Sequence, residues 1–406
     1  MGIGMVSNHI ARRVGETVQR RINHLGVGQK MQDLPEELWH ASFRFYVKED
    51  PTRQGGPNLR MIRLDPEKPS LTVTGYIFNK FVHPFENRFI TVREAARLQG
   101  FPDSLKFEGT LTSTQQQVGN AVPVPLAKAV FTSVLQDAIR LGFNNDSFTA
   151  FSLFSGAGGL DIGADQATSG NSRIHTKLAL DNWLDACKTL QGYYGSRAKI
   201  INEDIAKVTQ PLRFWSELTG EVNPPDLVYG GPPCQAFSQA GKQKGAMDNR
   251  GILIFEFLRF VRVLNPPFFV MENVSNLKGV GKGTLYHQII KQTQELGYNV
   301  LVGELLAADF GAPQLRQRII FLGCRNDIGH LLLPTPTHNE SPTLFEKSYI
   351  TVGEAFRDLP GAQYAGHLSD HMTMPYAMRL AHSSGVFTFT NERNWGSTSH
   401  NCASSK

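Results

Sequence analysis

Three short clusters in this chain hold residues whose types and spacing could do chemistry. In Gly230-Gly231-Pro232-Pro233-Cys234-Gln235 a cysteine follows two glycines and two prolines. The prolines stiffen the backbone and the glycines leave room for a substrate, so the Cys234 thiolate is a candidate nucleophile. The stretch that follows, 236–250, carries Gly241, Lys242, Lys244 and Gly245, a composition suited to closing over a polyanion. Glu272 follows the apolar run Phe268–Met271. A carboxyl partly buried at a strand end has a raised pKa, which favours proton donation near neutral pH. In Gln314-Leu315-Arg316-Gln317-Arg318, strand alternation predicts Gln314, Arg316 and Arg318 on one face. Two guanidiniums there could hold a base carbonyl, a phosphate or a carboxylate, or merely form a surface salt-bridge ladder.

A fourth cluster has the chemistry of binding. Phe154-Ser155-Gly156-Ala157-Gly158-Gly159 follows an apolar run, and glycines after a strand let the backbone approach a ligand closely beside helix N–H groups. A dinucleotide fingerprint would require a further glycine at position 161, where this chain has Asp161. That weakens a nicotinamide reading and leaves a nucleoside-containing cofactor. Asp181 and Asp204 end the next two runs, where they could accept from ribose hydroxyls and an adenine amino group, or act as helix caps.

The elements that must position these residues alternate. Strands are predicted at Phe148–Phe154, His175–Leu180, Asp226–Tyr229, Phe268–Met271, Val300–Leu306 and Ile319–Leu322, with helices from Leu160, through Leu190, and over Gly251–Leu264 and Leu285–Leu296. Alternation of this kind predicts an α/β domain with a parallel sheet covered on both faces, ligands lying beyond the carboxyl ends of its strands. A helix over Leu126–Ile139, with Ala127, Val130, Val134 and Ala138 on one face, precedes the first strand. From about Pro334 the chain is rich in Ser, Thr and Asn and reads as irregular.

The chain has 406 residues, 41% hydrophobic and 19% charged, with 41 Lys+Arg against 36 Asp+Glu for a net charge of +5. That is ample for a globular core and permits a polyanionic partner without demanding one. The four cysteines, Cys187, Cys234, Cys324 and Cys402, form neither a disulfide scaffold nor a zinc spacing, so no metal site is expected and a reducing cytoplasm is the expected compartment. Cys187 and Cys324 read as buried and inert. No apolar run approaches the ~18 residues of a membrane span, and the N-terminus lacks a signal peptide's apolar stretch. Arg12, Arg13, Arg20, Arg21 and Lys30 stand against one acid, Glu16, near that end, as a solvated helix face or a phosphate-contacting arm.

Taken together, the Phe154–Leu160 loop, Pro233-Cys234-Gln235, Glu272-Asn273-Val274 and Gln314-x-Arg316-x-Arg318 resemble four motifs of the DNA cytosine-C5 methyltransferases, in that family's order. Thr91–Pro102 (TVREAARLQGFP) resembles its ninth motif and Gln117–Pro123 (QVGNAVP) its tenth. In the usual order these two come last; here they come first, so the chain resembles the circularly permuted members. The resemblance spans roughly Lys68–Leu333. It implies a Rossmann-like methyltransferase domain over residues 67–333, with the ninth and tenth motifs at 68–140 and the others at 148–323. A target-recognition region would be assembled from 1–66 and 334–406.

The resemblance also implies S-adenosylmethionine as methyl donor and a cytosine flipped out of double-stranded DNA. Cys234 would attack C6 of that cytosine, Glu272 would hold its Watson–Crick edge and N3, Arg318 would contact O2, and Arg316 would hold the closed catalytic loop. Phe154, Gly156, Gly158, Gly159, Asp181, Asp204, Pro233, Asn120 and Val122 would line the cofactor pocket. The expected enzyme acts as a monomer, away from membranes, as the modification partner of a restriction–modification pair. Arg379, His382, Asn391, Arg393 and Asn394 are candidate base readers. The alternatives are a tRNA cytosine-C5 methyltransferase, a catalytically silent DNA-binding paralogue and a nicotinamide oxidoreductase.

Overall fold

The computed structural model of this protein describes residues 6–48, 61–75, 80–233 and 252–364. The chain opens with β1 (Ile10–Ala11), α1 (Glu16–His24), α2 (Ala41–Lys48), β2 (Ile62–Arg63), β3 (Ser70–Leu71) and β4 (Phe81–Val82). Three helices follow, α3 (Val92–Leu98), α4 (Leu111–Asn120) and α5 (Val124–Arg140). The α3 start is written in the sequence: Thr91 and Glu94 form a reciprocal capping box.

The central unit then alternates as expected: β5 (Ser147–Leu153), α6 (Gly159–Gln166), the short β6 (Thr168–Ser169), β7 (Ser172–Asp181), α7 (Leu184–Tyr194), β8 (Lys199–Asn202), α8 (Pro211–Thr219), β9 (Leu227–Gly230), α9 (Ile252–Leu264), β10 (Phe268–Val274) and α10 (Thr284–Glu295). Next come β11 (Tyr298–Leu306), β12 (Gln314–Leu315) and β13 (Gln317–Arg325). The large sheet has the order β11-β13-β10-β9-β5-β7, with β6 and β8 both pairing with β7. Strands β8, β7, β5, β9 and β10 run parallel. One face packs on α5 and α6 through Leu126, Ala127, Val130, Phe131 and Tyr229. The other packs on α8, α9 and α10 through Trp215, Phe257, Phe260 and Ile289. This is a Rossmann-like α/β fold, and its strand order reverses between β5 and β9, opening a crevice there.

The expectation of a parallel sheet is corrected in two places. The short β6 is antiparallel to β7. Strand β13 is antiparallel to both β10 and β11. The link from Leu306 to Gln317 is too short for a crossover helix, so the chain reverses and inserts β13 between its neighbours.

The remaining elements are β14 (His338–Asn339), β15 (Lys347–Ser348), α11 (Val352–Phe356) and β16 (Gln363–Tyr364). Strand β16 pairs with β1, bringing the two ends of the described chain together. His9 fastens this seam, Nδ1 at 2.9 Å from Thr91 Oγ1 and Nε2 at 2.7 Å from the Pro360 carbonyl. A second core runs through Ile22, Met31, Leu64, Phe81, Leu98, Val118 and Val352. It unites the opening residues, α3, α4 and α11.

Candidate active site

The crevice at the strand ends is a cavity of about 550 Å³, within the usual range for a ligand site. The loop after β5 forms its floor. Phe154 sits in the left-handed region at φ +54°, which turns the chain sharply off the strand. Gly158 caps α6 at φ +90°. A Cβ on Gly159 would collide with the Val122 carbonyl oxygen, so only glycine lets α6 start against the segment after α4. Beyond Gly156 the space where a side chain would lie is open.

Asp181, at the end of β7, accepts from Gly156 N at 2.8 Å and from Trp183 N at 2.8 Å. Burial raises its pKa against the pull of these N–H groups. Asp204 caps the following turn through Ala206 N at 3.0 Å. Both carboxylates line the cavity; Asp204 is cap and wall together, whereas Asp181 caps no helix. Asn120, Val122 and Pro233 line it as well. Gly158 is the one expected cofactor-pocket residue that stands just behind the lining, under Leu190.

The opposite wall carries the ionic groups. Arg318 Nε lies 2.6 Å from Glu272 Oε1, with both side chains about nine-tenths buried. Burial raises the Glu272 pKa, outweighing Arg318 and Arg316, which pull it down. A side chain on Gly231 would meet Glu272 Oε2 at 2.9 Å, so the glycine lets the chain pass the carboxylate. Asn273 Nδ2 donates to the Pro232 carbonyl at 2.9 Å, which tethers the Gly-Pro-Pro segment to β10. Cys234, the candidate nucleophile, and the basic stretch 236–250 lie outside the described residues, as do the five candidate base readers. Cys187 and Cys324 are buried, and burial pushes their thiols up to about 12 and about 11, as befits inert cysteines.

The expected single strand over residues 314–318 is corrected. Gln314 and Leu315 pair with β3, whereas Gln317 onward joins the large sheet, so the chain turns at Arg316. Arg318 alone of the three side chains reaches Glu272. Gln314 donates to the Leu98 carbonyl at 2.9 Å and accepts from Val73 N at 3.1 Å. Arg316, 2% exposed, donates through Nη1 to the Val73 carbonyl at 2.6 Å and through Nη2 to the Gly119 carbonyl at 3.0 Å. Its Nε has no hydrogen-bond partner among the described residues. Burial and the like charge of Arg318 bring its pKa down to about 9.

Sequence reasoning missed part of the lining. Thr72-Val73-Thr74-Gly75 forms one side of the cavity, and Glu203 and Leu253 part of another. The alternating Ser70-Leu71-Thr72-Val73-Thr74 was the available signal for the first.

The donor set suits a cationic nucleoside cofactor. It offers two carboxylates at successive strand ends, an open glycine turn, and the Phe154 and Trp183 rings. A sequence profile of the C-5 cytosine-specific DNA methylases matches residues 8–136 and 148–401. Type II methyltransferase M1.HphI of Haemophilus parahaemolyticus is 38% identical over 218 residues, 53% of this chain and 53% of its own. M.AquIA of Picosynechococcus sp. is 39% identical over 230 residues, 52% of this chain and 88% of its own. M.BspRI of Lysinibacillus sphaericus is 32% identical over 257 residues, 57% of each. The chain thus spans little more than half the length of the first and third of these relatives.

Proposed function

Because the chain belongs to the C-5 cytosine-specific DNA methylase family, we propose that it methylates C5 of a cytosine at a specific site in double-stranded DNA. The carrying observation is that one cavity joins the glycine turn, the buried Glu272–Arg318 pair and Pro233, the residue before Cys234. Phe154, Asp181, Asp204 and the Asn120–Val122 segment, which line that cavity, would hold S-adenosylmethionine, which would supply an electrophilic methyl group.

The protein's own residues do the rest. A flipped cytosine enters between Gly231, Glu272 and Arg318. The Cys234 thiolate adds to C6. Glu272, whose pKa burial raises, gives a proton to N3, and Arg318 holds the ring oxygen while balancing the carboxylate left behind. Charge pushed into the ring makes C5 nucleophilic. C5 takes the methyl group, the C5 proton passes to water, N3 returns its proton to Glu272, and Cys234 leaves as the thiolate, which restores the aromatic base.

The permuted order is part of the same proposal. The α5 helix of the tenth motif packs on the face of the sheet and reaches β5 through residues 141–146. The family match is interrupted over 137–147, across that connection. A target-recognition region built from 1–66 and 334–406 is supported by the β1–β16 pairing. The type II names of the relatives favour a modification role beside a restriction enzyme.

Tritiated S-adenosylmethionine, a mixed-sequence duplex and bisulfite sequencing test the proposal. Label on cytosine within one short recurring motif is expected. Label on tRNA alone would turn the assignment to the tRNA branch, and label on neither would leave a silent binder.

A further inference from the structure

Two large apolar side chains stand almost wholly in water next to each other: Leu344 is 98% exposed and Phe345 95%. They crown the loop between β14 and β15, and that loop is firmly built. Asn339 accepts from Ser341 N at 3.0 Å and donates to Glu346 Oε1 at 3.2 Å. Glu346 Oε2 in turn accepts from Thr343 N at 3.3 Å and from Thr343 Oγ1 at 3.1 Å. The carboxylate nearest the tip is therefore turned inward, and the apolar pair is turned out.

The loop is rooted at the active edge of the sheet. Thr337 N donates to the Asp309 carbonyl at 2.9 Å, and Tyr349 OH donates to Asp309 Oδ1 at 2.6 Å. Asp309 lies in the turn directly after β11, whose last residue, Leu306, pairs with Gln317. The next residue, Arg318, is the partner of Glu272. Loop and base pocket thus open from the same end of the sheet.

Size decides what kind of partner the tip fits. Phe345 offers roughly 150–250 Å², and the smaller Leu344 less. A stable protein interface needs about 800 Å² per partner. A narrow, rigid apolar point is instead the shape that enters between two stacked bases and props the step open. We propose that Leu344 and Phe345 form a wedge that enters a base step of the duplex beside the target cytosine. This rests on the DNA reading above.

Phe345→Trp places a reporter at the tip. The expected result is water-exposed indole emission in the free protein, quenched on saturation with a duplex carrying the site found by bisulfite sequencing. Blue-shifted emission without DNA would mean that another segment or a second copy covers the tip, and would overturn the wedge. So would emission that DNA leaves unchanged. A Leu344→Ser/Phe345→Ser double variant should keep its melting temperature and its affinity for S-adenosylmethionine, since neither side chain packs on the fold. Its kcat/KM for the duplex should fall about tenfold, the scale of one base–aromatic stack. An unchanged kcat/KM would overturn the proposal, and should the double variant not fold, the indole emission still decides. If the wild-type enzyme methylates DNA while the tip stays silent, only the wedge fails. If it transfers nothing to DNA, the functional proposal fails and the wedge with it.

Discussion

At the scale of single residues, the proposed chemistry turns on the Glu272–Arg318 contact. Burial lifts the Glu272 pKa, so its proton is retained to a higher pH than an ordinary glutamate allows and is lost as the pH rises through the lifted value. The attacking thiolate has the opposite dependence, so single-turnover methylation should be bell-shaped in pH. Glu272→Gln should cut the neutral rate by about 10²-fold or more and flatten the alkaline limb, since glutamine has no proton to lose. A wild-type rate in that variant would remove Glu272 from the reaction. Cys234→Ser should abolish transfer and leave duplex binding within about twofold, the hydroxyl being a far weaker nucleophile; turnover near normal would refute the nucleophile assignment. Arg316 has a structural task besides the one its motif implies. Its two Nη groups hold the carbonyls of Val73 and Gly119, so it ties two cavity walls together. Lysine has one nitrogen where the guanidinium uses two, so it cannot replace both contacts. Arg316→Lys should therefore weaken cofactor affinity and raise KM for DNA together; a rise in KM for DNA alone would favour the loop-holding role.

At the scale of elements, Asp161 explains its own presence where a dinucleotide fold would have glycine. It lies in the first turn of α6, fully buried, and its Oδ1 accepts from Tyr229 OH of β9 at 3.0 Å. Tyr229 OH also meets Thr176 Oγ1 of β7 at 2.8 Å. The cofactor turn is thus tied to the strand that leads to Cys234. Burial pushes the Asp161 carboxyl up to about 7. A folded-state pKa above the unfolded one confers stability that is full at low pH and lost as the pH rises toward that value. Asp161→Asn should accordingly melt higher than wild type at pH 8, with the advantage shrinking toward pH 4. A difference independent of pH would mean that the carboxyl is already charged when buried. Most elements here were legible from periodicity and turn residues. The reversal at β13 was not, because Ile319–Leu322 reads as a buried strand in either direction.

At the scale of the whole molecule, the two described ends meet, and the opening residues share one core with α3, α4 and α11. The large sheet is closed on one face by α5, which precedes it in the chain. The connection packs on that core through Leu141 and Phe143, both of which stay with α5 when the chain is cut after Asn144, so that cut should be tolerated. Fragments 1–144 and 145–406, expressed together, should copurify and methylate DNA. Fragments that do not associate would show that the covalent link is needed to seat α5.

The sequence alone determined the alternation of strands and helices, the glycine turn and the acids at strand ends, and it supplied the candidates for the reacting groups. Each depends on local rules: side-chain period, backbone permission at glycine and proline, and the chemistry of thiol, carboxyl and guanidinium. Only the tertiary structure decided which arginine meets Glu272, that Thr72–Gly75 walls the pocket, and that Leu344 and Phe345 stand out in water. Those outcomes depend on contacts between segments up to 243 residues apart. Nothing within a single motif encodes such a partner, because burial is a property of everything packed around a side chain.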